Sequence, residues 1–381
     1  MALRARLDSV DILRGLVMVV MALDHTRDFF SNYAGDPVDL GNASAGIFLT
    51  RWITHFCAPV FVFLAGAGAF LSNKPKPELA RFLVTRGLWL VFLELTVIRA
   101  GICFNLDYKF NFGQVIWVLG WSMIGLAALI WLPARIAGGI GVLIIALHNL
   151  LDPIRSQTLG NWKYVWMFLH EPNVMRFDSG AVFLFAYPFL PWMGVMAAGY
   201  GFGTLLRRDD RVRVLTRLGL AVTTLFVVIR GVNIYGDPAP WSQQQGLLFT
   251  FFSFINCQKY PPSLLFVLMT LGPAILFLAF IDKFRDGALA VYGRVPMFYY
   301  LIHFPLIHLC AVIAAWFQHG RFDFLLDFPP AVPPDRFPAG YGYNLFVVYL
   351  IWISIVAALY LPCRWFGDLK RRRNDWWLSY L

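Results

Sequence analysis

Charged residues are scarce in this 381-residue chain: Asp, Glu, Lys and Arg make up 14% of it, against about 25% in an average soluble domain. A water-facing surface needs more charge than that, so a soluble enzyme is excluded. The apolar share of 59% and a mean hydropathy of +0.62 exclude a disordered chain as well. Cysteine is also sparse and shows no pattern. Cys57, Cys103, Cys257, Cys310 and Cys363 stand singly in or beside apolar runs, without Cys-x-x-Cys spacing and with an odd total. They read as small apolar residues, with a Cys103 to Cys257 bridge as the one pairing left open. There is no repeat of fixed period and no low-complexity tract. No small-residue cleavage site follows Met-Ala-Leu-Arg-Ala-Arg, so the first apolar segment is expected to be a transmembrane helix rather than a removed signal.

What the chain does have is long apolar runs, at 8–30, 45–71, 81–104, 112–132, 134–151, 181–205, 213–234, 261–281, 287–317 and 343–366. Each is about long enough to cross a ~30 Å hydrocarbon layer. The expected fold is all-α, a polytopic transmembrane helix bundle of about ten spans forming one domain over 1–381. The tight Leu132-Pro133-Ala134-Arg135 connection leaves a re-entrant pair as the alternative for the fourth and fifth runs. Lys and Arg exceed Asp and Glu by 32 to 22, and in a membrane protein their position is what informs. The side carrying the termini collects 18 of them, among them Arg4, Arg6, Arg207, Arg208, Arg285 and Arg371, while the other side collects 9, including Arg27 and Arg51. This imbalance places both termini in the cytoplasm and accounts for the basic charge without nucleic acid. The longer loops, 152–180, 235–260 and 318–342, then face outward as a candidate substrate rim.

Five cations remain, Arg14, Arg86, Arg99, Arg230 and Arg294, and a cation within a span is a functional candidate by default. Arg86, Arg99 and Arg230 lie near span ends and are expected to snorkel to the interface. Arg14 does not. It follows Asp11 by three residues and can pair with it, and it precedes His25 by eleven, which returns His25 to within about 20° of the same helix face, roughly 16 Å further along. Gly15 permits close approach of a second backbone. The plainer alternative is an anchoring ion pair with an interfacial histidine. In the second run, Arg51 and His55 sit one turn apart before the small-residue stretch Ala65-Gly66-Ala67-Gly68-Ala69, and His55 is expected to face His25. Cys57 beside a histidine is a conceivable nucleophile, although an isolated cysteine in an apolar run is more often inert. In the ninth run Pro296 and Pro305 free backbone carbonyls, and Tyr299 and His303 share a face that His308 does not join. That face reads as a cavity wall or as packing. Tyr260, in Lys259-Tyr260-Pro261-Pro262, reads as a helix start or part of an acceptor site.

Asp11-x-x-Arg14-Gly15, the apolar run ending in His25, and Thr54-His55-Phe56-Cys57-Ala58-Pro59-Val60-Phe61-Val62-Phe63-Leu64-Ala65-Gly66 together resemble the catalytic domain of heparan-alpha-glucosaminide N-acetyltransferase and its bacterial relatives, within the transmembrane acyltransferases. Lys259 to Pro262, Leu268 to Pro273 and Gly293 to Pro296 are similar to the bacterial branch, so the resemblance extends along most of the chain. It implies acetyl transfer in a bacterial inner membrane, from cytoplasmic acetyl-CoA to an amine or hydroxyl, typically of a sugar, met from the opposite side. His25 stands ten residues after Gly15, similar to the catalytic histidine of the acyltransferase-3 branch. The heparan enzyme resembles this less at that position and has its essential histidine in the following loop, where this chain has none. The catalytic assignment is therefore divided between His25, which is favoured, and His55.

Such chemistry needs a base, an oxyanion partner and cations for the CoA phosphates, and requires no metal. His25 supplies the base, oriented by Asp24 or, from the better position at i+3, Asp28. Asp11, Arg14, Arg86, Lys74 and Arg294 are the expected cofactor contacts, and Arg51, Tyr260, Tyr299 and His303 the expected substrate cavity. The partners expected are lipid, acetyl-CoA and the acceptor, with a homodimer compatible. The rival reading is a secondary transporter or channel that uses the same buried groups as a proton or solute path.

Overall fold

Proline marks several helix starts, while Pro273, Pro305 and Pro362 lie inside helices that continue through them. The computed structural model describes residues 7–284, 287–327, 332–373 and 375–380. Arg4, Arg6 and Arg285, three of the cations used above for topology, lie outside the described residues. In chain order the helices are α1 (Asp8–Phe30), α2 (Ala45–Thr54), α3 (Cys57–Leu71), α4 (Lys76–Leu93), α5 (Arg99–Cys103), α6 (Val115–Leu129), α7 (Ala134–Leu147) and α8 (Lys163–Leu169). They continue with α9 (Phe189–Leu206), α10 (Arg211–Val232), α11 (Leu247–Ile255), α12 (Leu264–Phe280), α13 (Ala288–Arg294), α14 (Pro296–His319) and α15 (Leu345–Arg372). Pro75, Pro133 and Pro188 stand immediately before α4, α7 and α9, where a missing N–H costs nothing.

Seven segments are long and apolar enough to cross a membrane: Ala45–Leu71, Ala134–Leu151, Phe189–Leu206, Arg211–Val232, Leu264–Lys283, Pro296–His319 and Leu345–Arg372. The three other sequence runs are helical too. Helix α1 carries Asp8, Asp11, Arg14, Asp24, Arg27 and Asp28 in one length of helix. The run at 81–104 becomes α4, a π-turn at Glu94–Ile98 and α5, and α6 has only 15 residues. The all-α expectation needs one amendment. Strands β1 (Phe110–Gly113), β2 (Asn173–Arg176) and β3 (Val182–Phe185) form a small sheet in the order β1-β3-β2, with β1 and β3 parallel and β2 and β3 antiparallel. Four-residue strands are too short to carry a readable alternation, and β3 merges in sequence with the apolar run of α9.

The described residues divide into two compact units. The second comprises 58–96 and 107–280, and small residues set its helix spacing. A Cβ on Gly66 would lie 2.0 Å from the Met196 carbonyl oxygen and one on Gly199 2.0 Å from that of Phe63, locking α3 to α9. Gly87 and Gly120 do the same for α4 and α6, each 2.5 Å from the other's carbonyl oxygen. Backbones this close gain dispersion contact that a lipid-solvated helix cannot gain by hydrophobic burial.

Two buried charges organise this unit. Arg230, 1% exposed, donates to the carbonyls of Phe254, Ala239, Ser253 and Asn256 at 2.9–3.0 Å and so folds 237–256 around its fork. Close by, Asp237 accepts from Gln258 N, Ser263 Oγ and Ala239 N. Burial pushes its carboxyl up, while the Ser263, Gln258 and Ala239 bonds and Arg230 pull it back. Fully buried Glu94 accepts from the backbone N–H groups of Gln114 and Trp117, capping the start of α6 from another segment. Glu94→Ala leaves those donors without a partner and is expected to lower stability by about 1–3 kcal/mol, read as a fall in the thermal denaturation midpoint; an unchanged midpoint would mean the cap contributes nothing.

The first unit comprises the described residues of 1–57, 97–106 and 281–381 and is built on α1. Its amino-terminal half meets α13 backbone to backbone: a Cβ on Gly15 would lie 1.8 Å from the Leu289 carbonyl oxygen, and one on Gly293 1.8 Å from that of Asp11. Further along, Trp352 of α15 donates its indole N–H to Val19 O at 2.8 Å. The far end is tied down by Tyr343 N to Phe30 O (2.7 Å), Asn32 N to Tyr343 O (3.0 Å) and Tyr341 Oη to Phe29 O (2.6 Å). Gly342, at φ +92°, lets that strap pass where a Cβ would lie 2.6 Å from Ser31 O.

Candidate functional site

Helix α1 presents polar groups at both ends of the stripe that faces α13 and α14. At its carboxy-terminal end the half-buried His25 ring lies 4.2 Å from the Phe304 ring and 5.4 Å from the His303 ring, centroid to centroid. His303 is fully buried, and its Nδ1 lies 2.8 Å from Tyr300 O and 3.1 Å from Tyr299 O. Carbonyl oxygens only accept, so Nδ1 carries the proton and Nε2 the lone pair. Tyr299 stacks on His303 at 5.1 Å. Neither the Tyr299 hydroxyl nor His303 Nε2 has a hydrogen-bond partner among the described residues, although both are buried. Buried polar groups are normally satisfied, which makes this pair the candidate for contact with a substrate.

Beside His25 lies a four-membered charge cluster. Arg27 Nη2 is 3.0 Å from Asp24 Oδ1 and 2.5 Å from Asp28 Oδ1, and Arg51 of α2 reaches the other Asp24 oxygen. Two guanidiniums and two carboxyl groups balance, which is what makes their burial tolerable. Both carboxyl groups proposed to orient His25 are therefore themselves held by arginine. The expectation that Arg27 and Arg51 decorate an outer loop is corrected here: their side chains are only 8% and 15% exposed, drawn inward by Asp24. Arg27 carried no separate signal in the sequence beyond its i+3 spacing from Asp24.

At the other end of α1, Arg14 Nη1 donates to Asp11 Oδ1 and to Gly293 O, both at 3.2 Å, and Arg294 lies 3.5 Å from Asp8. Arg14 and Arg294 keep about a fifth of their side chains exposed. The same stripe thus carries Arg14 to α13 and His25 to α14, as the eleven-residue spacing implies.

The remaining candidates lie elsewhere. His55 follows α2 and is buried. The Cys57 thiol donates to Val17 O at 3.3 Å, and none of the five cysteines is in a disulfide. His308 stacks on Phe104 at 3.8 Å rather than joining Tyr299 and His303. Lys74, Arg86 and Tyr260 belong to the second unit: Lys74 pairs with Glu78, Lys74 and Arg86 lie 5.4 and 5.6 Å from the Phe82 ring centroid, and Tyr260 lies edge-on to Tyr187 at 5.2 Å. Arg99 and Arg230, expected to snorkel, are instead each 1% exposed. Local oxygens explain the difference; Arg99 donates to the Asn105 backbone carbonyl at 2.5 Å and to the Asn105 side-chain Oδ1 at 2.6 Å and is satisfied without water. The sequence reading also passed over His148, Asp152 and His170, which the second unit brings together. Histidines 22 residues apart across a loop give no spacing signal.

A polytopic helical membrane protein with a histidine, a tyrosine and a charge cluster converging on one helix is the class these observations define. Residues 6–235 match the family described as heparan-alpha-glucosaminide N-acetyltransferase, catalytic. The match covers well over half of the chain, and the protein belongs to that family of membrane acetyltransferases. No curated protein matches the chain.

Proposed function

We propose that the protein transfers an acetyl group from cytoplasmic acetyl-CoA to an amine or hydroxyl, with a sugar as the acceptor class, reached from the opposite side of a bacterial inner membrane. The observation that carries this reading is the packing of half-buried His25 against buried His303, beside a Tyr299 hydroxyl without a partner among the described residues. In the proposed reaction His25 takes the acceptor's proton as its nitrogen or oxygen attacks the thioester carbonyl. The new C–N or C–O bond forms, the C–S bond breaks, and the CoA sulfur leaves with the proton that His25 returns. Tyr299 would donate to the developing oxyanion. His303, its Nδ1 proton engaged by backbone carbonyls, would hold the His25 ring in place. Arg14 and Arg294 would meet the CoA phosphates, held in position by Asp11 and Asp8. Their separation from His25 along α1, about 16 Å, suits a donor whose phosphates and thioester are joined by a long pantetheine arm. His55 is the alternative base.

Ten spans with both termini cytoplasmic follow in this reading if α1, α4 with α5, and α6 also cross the bilayer, supported by the excess of Lys and Arg on one set of loops. The test is the purified protein in proteoliposomes with labelled acetyl-CoA and a panel of amino sugars and neutral sugars. Acetylated sugar and free CoA are expected to appear in equal amounts. Solute uptake without acetyl-CoA, and no acetylated product, would replace the reading with a transporter.

A further inference from the structure

The second unit contains a group of side chains that the proposed acetyl transfer does not use. His148 opens the 3-10 turn His148–Leu151 that follows α7, Asp152 closes it, and His170 terminates α8. One ligating atom from each lies within 4.8 Å of the others, and His170 Nε2 is 3.0 Å from Asp152 Oδ1. Both histidines are 2% exposed, with ring centroids 5.5 Å apart. Nδ1 of His170 has no hydrogen-bond partner among the described residues, and the Pro262 backbone meets at most one of the two His148 nitrogens. A buried imidazole nitrogen of His148 left unsatisfied beside His170 Nε2 and Asp152 is costly unless something occupies the space between them.

We propose that His148, Asp152 and His170 form a binding site for a divalent transition-metal ion of the zinc type. Two imidazoles and one carboxylate are a donor set that suits zinc, with a fourth position left for water. Ligands at tetrahedral angles around zinc, each about 2.0–2.2 Å away, are roughly 3.4 Å apart. The His170 to Asp152 pair, at 3.0 Å, is already near that spacing, and the His148 nitrogen lies within 4.8 Å of both. Asn149 supplies the outer support such sites use: its Nδ2 donates to Asp152 Oδ2 at 2.9 Å, and its Oδ1 accepts from Leu264 N at 2.9 Å. The carboxylate is thereby oriented and linked to the start of α12. Around His170, Glu171 is engaged separately, its Oε2 accepting from Ser156 N at 2.5 Å and its Oε1 from Asn173 Nδ2 at 3.5 Å. A bound ion would join the end of α7 to the end of α8, holding the 152–170 segment as a closed loop.

The experiment uses the full chain in detergent, carrying no polyhistidine tag, stripped with EDTA and titrated with Zn²⁺ against a chromophoric chelator. One ion per chain is expected, with affinity lowered at least 100-fold in His170→Gln and in Asp152→Asn. Binding of the same strength in the wild type and in a His148→Ala/His170→Ala double variant would overturn the proposal. Should these variants not fold, the wild type decides alone: Zn²⁺ must raise its melting temperature in a concentration-dependent way, and X-ray absorption of the bound ion must show nitrogen and oxygen ligands. Absence of a shift, or sulfur in the coordination shell, overturns the proposal.

Discussion

A His25→Ala protein is expected to fold and to bind acetyl-CoA, yet to transfer the acetyl group about 10²- to 10⁴-fold more slowly, the range over which a positioned general base acts. The expectation of intact folding rests on surroundings. His25 is half-buried, and its ring lies against Phe304 and His303, whose own positions are set by α14. Truncation removes an edge of that packing and leaves the Asp24, Arg27, Arg51 and Asp28 cluster paired. The loss should fall on kcat, because in the proposed reaction the imidazole would act on the acceptor's proton and not on the CoA phosphates. Added imidazole is expected to restore part of the rate. A His25→Ala protein that keeps full acetyl-CoA-dependent transfer would remove His25 from the reaction, and a loss confined to KM would make it a binding residue.

The second large effect concerns assembly. Gly15→Val places a branched side chain where even the first added carbon would lie 1.8 Å from the Leu289 carbonyl oxygen. Backbone cannot rotate aside as a side chain can, so α1 and α13 must separate. Overpacking ordinarily costs about 1–3 kcal/mol, occasionally more, and a clash with backbone belongs at or above the upper figure. Separation also pulls Arg14 from Gly293 O and disturbs the register that brings His25 to His303. Against a total stability of about 5–15 kcal/mol, the variant is expected to lose most of its monodisperse fraction on gel filtration. Gly139→Ala is the control, since nothing lies within 4 Å of its added carbon; it is expected to behave as wild type. Equal recovery of the two variants would contradict the close-contact account of the α1 and α13 pair.

Much of this was readable in the residues. The run at 8–30 is α1 to the residue, and 213–234 is α10 shifted by two, because lipid-length apolar runs bounded by charge leave little freedom in where a helix ends. The Arg14, Gly15 and His25 stripe was legible because helical periodicity is strict over three turns. Likewise Tyr299 and His303, one turn apart, stack as that spacing predicts. What failed depended on contacts between distant segments. By sequence Arg27 and Arg51 are loop cations, whereas in the fold Asp24 draws both inward. Arg99 and Arg230 are expected to seek water, but backbone carbonyls from folded loops supply partners to both, with the Asn105 side chain adding one to Arg99. His148 and His170 meet only because α8 returns to the end of α7. Periodicity reports the faces of one helix; it is silent about which loop closes over a charge.

Acetyl transfer is proposed to take place at the His25 end of α1. A cryo-electron microscopy structure of the protein with a non-hydrolysable acetyl-CoA analogue decides this. The expected result has the acyl carbonyl within hydrogen-bond distance of the Tyr299 hydroxyl and beside the His25 ring, with the phosphates at Arg14 and Arg294. An acyl group seated beside His55, or an analogue bound away from α1, would contradict it.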